Sequence, residues 1–188
     1  MTKILAFAGS VRKQSFNRRL VKIAAAGAER AGAQVTVIDL ADYPMPLFDQ
    51  DVEAEFGIPQ NARLFKQLLM DHDGFLIASP EYNSAFSPLL KNAIDWASRS
   101  EKSDEPPLVA YKRKMAAVMA ASPGNLGGLR GLVFIRMLLA NLGTLVLPNQ
   151  IAVANAHQAF DDKGLLVDED QQAAVTELGA ILFNAIAN

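Results

Sequence analysis

Short, continuous apolar segments recur along the chain and are separated by longer segments with helical spacing. The apolar segments are rich in β-branched or aromatic residues and do not alternate with polar ones, which is typical of strands buried on both faces of a parallel sheet. Between them, apolar residues recur every three or four positions, as at Leu64, Leu68 and Leu69. The pattern predicts five strands, at Lys3–Ala8, Gln34–Leu40, Gly74–Ser79, Lys114–Ala121 and Gly143–Leu147.

Residues that begin and end helices agree with this alternation. Ser87-Pro88 is typical of a helix N-cap followed by proline at the first helical position, and Asp168 predicts the start of a last helix. Gly32 and Gly143 stand where helices are expected to end. The alternation of strand and helix predicts one α/β domain over residues 1–188, a doubly wound sandwich with a five-stranded parallel sheet of order 2-1-3-4-5 and helices on both faces.

Two connections are longer than packing requires. The segment 42–60 is rich in proline and acids, and the segment 148–167 contains an extra predicted strand, IAVAN. Long loops in a compact domain are often functional or lie at an interface, although surface decoration explains both equally well. Ser100–Pro107 is interpreted as a surface loop.

Composition narrows the chemistry. The 188 residues include no cysteine, and the formal net charge is −2 without a long block of either sign. The lack of cysteine excludes disulfides and thiolate chemistry, so any redox reaction requires a bound cofactor. Because neither sign of charge forms a long block, we expect no electrostatic binding to nucleic acid or to an anionic membrane. No apolar run approaches the ~20 residues of a membrane span, and the N-terminal apolar run is too short for a signal peptide. We expect a cytoplasmic protein with a small-molecule partner.

Three polar or glycine-containing loops follow strands that would be neighbours in this sheet. They read GSVRKQSFN at 9–17, SPEYNSAF at 79–86 and ASPGNLGG at 121–128. Ligands of doubly wound sheets bind beyond the carboxyl ends of the strands, where the strand order reverses. The three loops are therefore expected to converge on one ligand.

The first loop leads into a helix N-terminus, whose free N–H groups and dipole favour an anion. Hydroxyls of Ser10 and Ser15, the Arg12 guanidinium and the Asn17 amide suit a terminal phosphate. The pattern GxxxxGK[ST] is absent, and Arg12 replaces the second glycine of GxGxxG, which disfavours a dinucleotide held by its pyrophosphate. Asp39 ends the second strand as a ribose-binding acid would, but alone it is more often an ordinary strand-end residue. The alternative for the loop is that Ser15 only caps the helix and Arg12 is solvated.

The other two loops suit a flat ligand. Tyr82 and Asn83 would lie over the cleft, while Glu81 is better explained by pairing with a surface cation. Gly124, Gly127 and Gly128 allow close approach of the main chain, and Ser122 adds a hydroxyl. The alternative for each loop is a solvent-facing or flexible turn.

Together these motifs resemble the NADPH-dependent FMN reductase family of flavodoxin-like proteins. The resemblance rests on GS-x-R-x-x-S-x-N, on PEYN followed by LKNAIDW-x-SR, and on the glycine-rich turn, and it spans essentially the whole chain. The quinone and chromate reductase group is most similar. Gln14 departs from the pattern, because many relatives have glycine there. The resemblance implies that FMN is bound by Ser10, Arg12, Ser15, Phe16, Asn17, Pro80, Glu81, Tyr82, Asn83, Ser122 and Gly124.

The same resemblance implies an enzyme that passes electrons from NADPH or NADH through FMN to quinones, free flavin, chromate or azo compounds. It also implies homodimers or homotetramers, with the helix Ser87–Arg99 and the loop Phe48–Asp51 as candidate boundaries; for Trp96 we favour core packing. Alternatives are a nonenzymatic flavodoxin-type electron carrier and a flavin-binding redox sensor. A serine hydrolase is disfavoured because no G-x-S-x-G elbow is present.

Overall fold

The computed structural model describes residues 1–188 and contains a five-stranded parallel sheet. Its strand order is β2-β1-β3-β6-β7, and because β4 and β5 form a separate short hairpin, the five strands follow the predicted order 2-1-3-4-5. The fold prediction is thereby confirmed. The strands of the large sheet are β1 (Lys3–Ala8), β2 (Gln34–Ile38), β3 (Gly74–Ala78), β6 (Met115–Ala121) and β7 (Leu145–Val153), and those of the hairpin are β4 (Glu81–Tyr82) and β5 (Ala85–Phe86).

Seven α-helices connect and cover the strands. Ser15, Ser87 and Asp168 each accept a hydrogen bond from the first turn of the helix that follows, and Gly32 ends the first helix with a φ of 114°. The helix boundaries predicted at Ser87, Asp168 and Gly32 are therefore confirmed. The helices are α1 (Phe16–Ala31), α2 (Gln50–Phe56), α3 (Gln60–Asp71), α4 (Pro88–Ala97), α5 (Leu129–Asn141), α6 (Ala156–Ala159) and α7 (Glu169–Ala187).

The sheet is covered on both faces, as continuous apolar strands require. Helices α1 and α7 form one layer, whose core includes Leu20 and Leu178. Helices α3, α4 and α5 form the other layer, with Phe65, Ile94 and Leu132 in its core. None of the helices combines the length and the apolar character needed to cross a bilayer.

The last strand differs from the prediction. Sequence patterning indicated a strand at 143–147 and a separate strand at 151–155, whereas β7 runs continuously from Leu145 to Val153. Its pairing with β6 shifts between Val146 and Gln150, so the residues around Pro148 bulge out of register. Proline is tolerated there because β7 is an edge strand, where a missing N–H breaks no interior ladder.

The segment 42–60 packs against α4 rather than extending into solvent. Pro46 O accepts hydrogen bonds from Asn92 Nδ2 at 2.9 Å and Trp96 Nε1 at 2.8 Å, and the ring of Phe48 lies edge-on to Trp96 with centroids 4.9 Å apart. Trp96 is fully buried, as its core interpretation predicted. The two oligomer boundaries that the sequence predicts thus contact each other within the chain, while Asp49 and Asp51 remain exposed.

The segment 100–107 is anchored by a buried lysine. Lys66 Nζ donates to Arg99 O at 2.7 Å and forms a short ion pair with Glu105, and its side chain exposes only 1% of its surface. A buried ammonium requires such partners, since an unpaired charge in the protein interior is costly. The segment interpreted as a plain surface loop is therefore fixed to α3.

Candidate functional site

The three polar loops begin at the carboxyl ends of three adjacent strands. Ala8 of β1 pairs with Ala78 of β3, and Ala78 pairs with Met119 of β6, so these strands end at similar heights. The chain leaves each strand on the same edge of the sheet, which is the usual ligand edge of this architecture. The loops expected to converge are therefore neighbours in space.

The first loop is shaped by its own serines. The Ser15 N–H donates to Arg12 O at 3.0 Å, which closes a tight turn, and Ser15 Oγ accepts from the Arg18 N–H at 3.4 Å as the N-cap of α1. Ser10 Oγ accepts from the Arg12 N–H at 3.4 Å. Both serines are buried, whereas Arg12 is exposed.

Donors in this loop remain free for a ligand. The backbone N–H groups of Lys13, Gln14, Phe16 and Asn17 have no acceptor within the chain. The Arg12 guanidinium has no carboxylate within 4.0 Å; it lies 5.2 Å from the centroid of Phe16, whose ring stacks on Phe160. Free N–H groups, serine hydroxyls and one unpaired guanidinium at a helix N-terminus form a donor set that suits a phosphate dianion.

Asn17 occupies a different position from the other polar residues of the loop. Its Nδ2 donates to Ala121 O and its Oδ1 accepts from the Ala121 N–H, both at 2.9 Å, and the residue is buried. Both polar atoms of the amide are used by these bonds. Asn17 therefore joins the start of α1 to the end of β6, and its backbone N–H and one Nδ2–H have no partner within the chain.

The first and second loops are tied through Ser87. Its Oγ donates to Gly9 O at 2.6 Å and accepts from the Leu90 N–H at 3.2 Å. A Cβ on Gly9 would lie about 3.0 Å from both Ser87 Oγ and Leu90 Cβ. Glycine is required there because the loop passes so close to the start of α4.

The second loop is a β-hairpin. Asn83 and Ser84 form its two-residue turn with φ values of 51° and 69°, the left-handed geometry of a type I′ turn, which favours asparagine. Tyr82 is 53% exposed at the end of the hairpin, and Pro80 precedes it. The hairpin thus presents a ring and backbone groups beside the first loop.

Glu81 holds this hairpin on α5. Its carboxylate accepts from Arg130 Nε at 3.0 Å, from an Arg130 terminal nitrogen at 2.7 Å, and from the Gly131 N–H at 3.0 Å. Although desolvation by burial raises the pKa of Glu81, the hydrogen bonds from Gly131 and Arg130 outweigh it and lower the pKa below its usual 4.5. The interpretation that Glu81 pairs with a cation is consistent with this geometry, and the sequence alone did not identify Arg130 as that cation.

The glycines of the third loop have different roles. A Cβ on Gly127 would come within 2.7 Å of the Val153 backbone, and one on Gly128 within 2.7 Å of Ala120. At these two glycines the third loop packs closely against the sheet itself. Gly124 is exposed, and a Cβ there would meet only Ser122 Oγ at 3.8 Å, so Gly124 is accessible to a ligand beside the half-buried Ser122.

Asp39 is not available as a ribose-binding acid. Its carboxylate forms a 2.5 Å ion pair with Arg18, and the other oxygen accepts from the Ala41 N–H at 3.0 Å. The carboxylate instead caps the short 3₁₀ turn Leu40–Asp42 that follows β2.

The model of a known family matches most of this chain. It describes NADPH-dependent FMN reductases and matches residues 2–158, which include all three loops. The chain belongs to the NADPH-dependent FMN reductase family. The predictions of a flavodoxin-like enzyme that uses FMN and NAD(P)H are thereby confirmed.

Individual relatives agree with this family across nearly the whole chain. An NAD(P)H-dependent FMN reductase of Pseudomonas aeruginosa is 32% identical over 93% of this chain and 90% of its own length. An NADPH:quinone oxidoreductase of Arabidopsis thaliana is 35% identical over 90% of this chain and 84% of its own. Among solved structures, the flavoenzyme NAD(P)H:(acceptor) oxidoreductase FerB of Paracoccus denitrificans superimposes with a TM-score of 0.81 at 26% identity, covering 100% of this chain and 98% of its own.

Proposed function

We propose that this member of the family transfers a hydride from NADPH or NADH to FMN bound at the three loops, and then passes the electrons to a small acceptor. The observation that carries the proposal is the set of unpaired donors in the first loop, next to two loops that start on the adjacent strands. Bound FMN supplies the redox chemistry, so the chain needs only to hold and orient the reactants. Because the cofactor supplies the redox chemistry, the chain requires no catalytic acid–base pair.

The first loop would hold the FMN phosphate. Arg12 supplies charge, the hydroxyls of Ser10 and Ser15 add hydrogen bonds, and the backbone N–H groups of Phe16 and Asn17 point outward from the first turn of α1. The Asn17 side chain also bonds Ala121 through Nδ2 and Oδ1, which leaves one Nδ2–H for the phosphate. We therefore assign Asn17 a positioning role in addition to its backbone contact.

The second and third loops would border the flavin ring system. Pro80, Glu81, Tyr82 and Asn83 contribute mainly backbone groups, since the Glu81 carboxylate is held by α5 and the N–H groups of Asn83 and Ser84 have no acceptor in the chain. Fixed N–H donors suit the negative charge that a flavin gains on reduction. On the other side, Ser122 and Gly124 would face the ring from the third loop.

Quinones are the acceptor class that we favour, because several relatives at 33–35% identity are named quinone reductases or quinone oxidoreductases. Free flavin, chromate and azo compounds are further acceptors in the proposal, since a reduced flavin edge needs little side-chain help to reduce them. A cytoplasmic location belongs to the same proposal, because the reaction consumes NADPH or NADH.

Two measurements test the proposal. Purified protein should bind FMN at micromolar concentration, and it should oxidise NADPH or NADH faster when a benzoquinone is added than an equal concentration of free FMN does. Running both nucleotides side by side also gives the preference between them. Absence of FMN binding would contradict the site, whereas FMN binding without turnover above the free-flavin rate would favour an electron carrier.

Association of two or more copies completes the proposal. The α5 patch, an exposed apolar stripe on the outer face of α5 and the loop before it, is the strongest candidate for the contact. Helical spacing brings its members to one side, next to the hairpin that carries Tyr82. The α5 patch consists of Leu126, Leu129, Val133, Phe134 and Met137, whose exposed fractions range from 42% to 60%.

A further inference from the structure

A large groove begins at the first loop and extends away from it along α1. It has a volume of about 950 Å³ and runs between the outer face of α1 and the turn 162–165, with Gln172 of α7 at its wall. One end of the groove reaches Lys13 and Ser15, which belong to the first loop. The groove is therefore continuous with the proposed phosphate site.

The groove is strongly positive although the chain as a whole carries a formal charge of −2. Six cationic side chains line it against only two carboxylates, those of Glu29 and Asp162. Of the six, only Arg18 has a carboxylate within 4.0 Å, that of Asp39. The five cations without such a partner are Lys13, Arg19, Lys22, Arg30 and Lys163.

The local structure directs these cations into the groove and keeps them away from carboxylates. Arg19, Lys22 and Arg30 recur along α1 at spacings that share one helix face. Opposite them, the turn at Asp161–Gly164 carries Lys163, and the Asp161 carboxylate is occupied by the Leu165 N–H at 2.8 Å. The Gly164 backbone then passes Arg19 closely enough that a Cβ there would lie 3.7 Å from Arg19 Cγ.

We propose that this groove is an electrostatic approach path, which attracts the phosphate of FMN and raises the rate at which FMN reaches the first loop. A phosphate monoester carries about −1.5 to −2 charges at neutral pH. Clefts lined by one sign of charge raise association rates of oppositely charged ligands by about 10- to 1,000-fold at low ionic strength. The inference rests on the proposed function, because it takes the first loop as the destination of the phosphate.

The position of each cation along α1 predicts the size of its contribution. With a rise of 1.5 Å per residue, Arg19 and Lys22 lie about 6 and about 10 Å along the helix axis from Ser15, and Arg30 about 22 Å away. The Debye length is about 10 Å in 0.1 M salt and about 30 Å in 0.01 M salt. Arg19 and Lys22 should therefore act at both salt concentrations, and Arg30 only at the lower one.

The experiment follows the association of flavin with the full chain freed of flavin, by stopped-flow quenching of flavin fluorescence in about 0.01 M and about 0.1 M salt. The test variant is Arg19→Glu with Lys22→Glu, and Arg30→Glu is the matched control on the same helix. Riboflavin, which lacks the phosphate, is the uncharged control ligand. Circular dichroism and thermal unfolding check that each variant is folded. If the double variant does not fold, the single variant Lys22→Gln takes its place.

In 0.1 M salt the double variant should bind FMN about tenfold more slowly than the unaltered chain, and Lys22→Gln about twofold more slowly. Arg30→Glu should match the unaltered chain in 0.1 M salt and slow FMN association only in 0.01 M salt. FMN dissociation and riboflavin association should change less than about twofold in every variant.

An FMN association rate in the double variant equal to that of the unaltered chain at both salt concentrations would overturn the approach path and leave the phosphate site intact. An unaltered chain that binds FMN and riboflavin equally well would instead overturn the phosphate site, and the approach path with it.

Discussion

The side chain of Asn17 and the backbone of Ala121 form two reciprocal hydrogen bonds, each 2.9 Å long, across 104 positions of the chain. They fix the first turn of α1 to the last residue of β6, where the third loop begins. The spacing between the proposed phosphate contacts and the proposed ring contacts therefore depends on one buried amide.

Replacing Asn17 by alanine should lower the free energy of unfolding by about 2–3 kcal/mol, because two buried bonds are lost and both Ala121 groups are left unpaired. FMN affinity should fall as well, since the loops are no longer held at a fixed distance. Urea denaturation and flavin titration measure the two effects. Asn17→Asp is the matched variant: at neutral pH its carboxylate faces the Ala121 carbonyl, and protonation in acid should restore part of the lost stability. Unchanged stability in both variants would contradict the structural role of the amide.

Arg12→Ala should weaken FMN about ten- to a hundredfold and riboflavin little, because a charge-assisted hydrogen bond is worth about 1.5–3 kcal/mol and only FMN carries the phosphate. Flavin titrations of both ligands give the comparison. Arg63→Ala, an exposed arginine on α3, serves as the control and should leave both affinities unchanged. Equal losses for FMN and riboflavin would move Arg12 away from the phosphate.

Glu81→Gln should lower the free energy of unfolding by about 1 kcal/mol at neutral pH, since the charge that Arg130 and Gly131 engage is removed. The pKa of Glu81 is lowered in the folded state, so its contribution is complete above the unfolded value near 4.5 and is lost as the pH falls through the folded value. The difference from the unaltered chain should therefore shrink between about pH 5 and about pH 3. Urea denaturation across this range tests it, with Glu55→Gln as an exposed control. If the difference in unfolding free energy between Glu81→Gln and the unaltered chain grows as the pH falls, the pKa of Glu81 is not lowered by folding.

Two charges in the α5 patch should dissociate the proposed assembly. Val133 and Met137 are 60% and 55% exposed and lie one helical turn apart, so Val133→Glu with Met137→Glu places two carboxylates in the contact. Light scattering after size exclusion should report a smaller species with an intact fold. Leu64→Glu changes a leucine on α3 that is 49% exposed; it is the control and should leave the mass unchanged. An unaltered mass in the double variant would exclude the α5 patch as the contact.

The sheet could be predicted because its signals are local. Continuous apolar strands, the N-caps at Ser87 and Asp168 and the glycine at 32 depend on neighbouring residues alone. The same holds for the position of the three loops, since parallel strands release the chain at one edge. β7 was divided in two because the bulge around Pro148 interrupts its apolar pattern, although the pairing with β6 continues beyond it.

The contacts that depend on distant residues could not be predicted. Nothing near Lys66 in sequence indicates that Glu105 would pair with it, and nothing near Glu81 points to Arg130. The bond between the Asn17 amide and Ala121 is likewise invisible in the sequence, which shows only that the residue type and position of Asn17 suit a phosphate contact. The sequence likewise could not show that Gly127 and Gly128 pack against the sheet, because a glycine-rich turn looks the same whichever surface it approaches.

The bulge around Pro148 also changes what the edge of the sheet offers to other chains. β7 is one of the two outer strands of the sheet, and a straight outer strand would offer its free N–H and C=O groups as a template to any extended chain. A proline and a register shift interrupt that row of groups near its middle. The same irregularity that hides β7 in the sequence therefore makes this edge of the sheet a poorer template for an added strand.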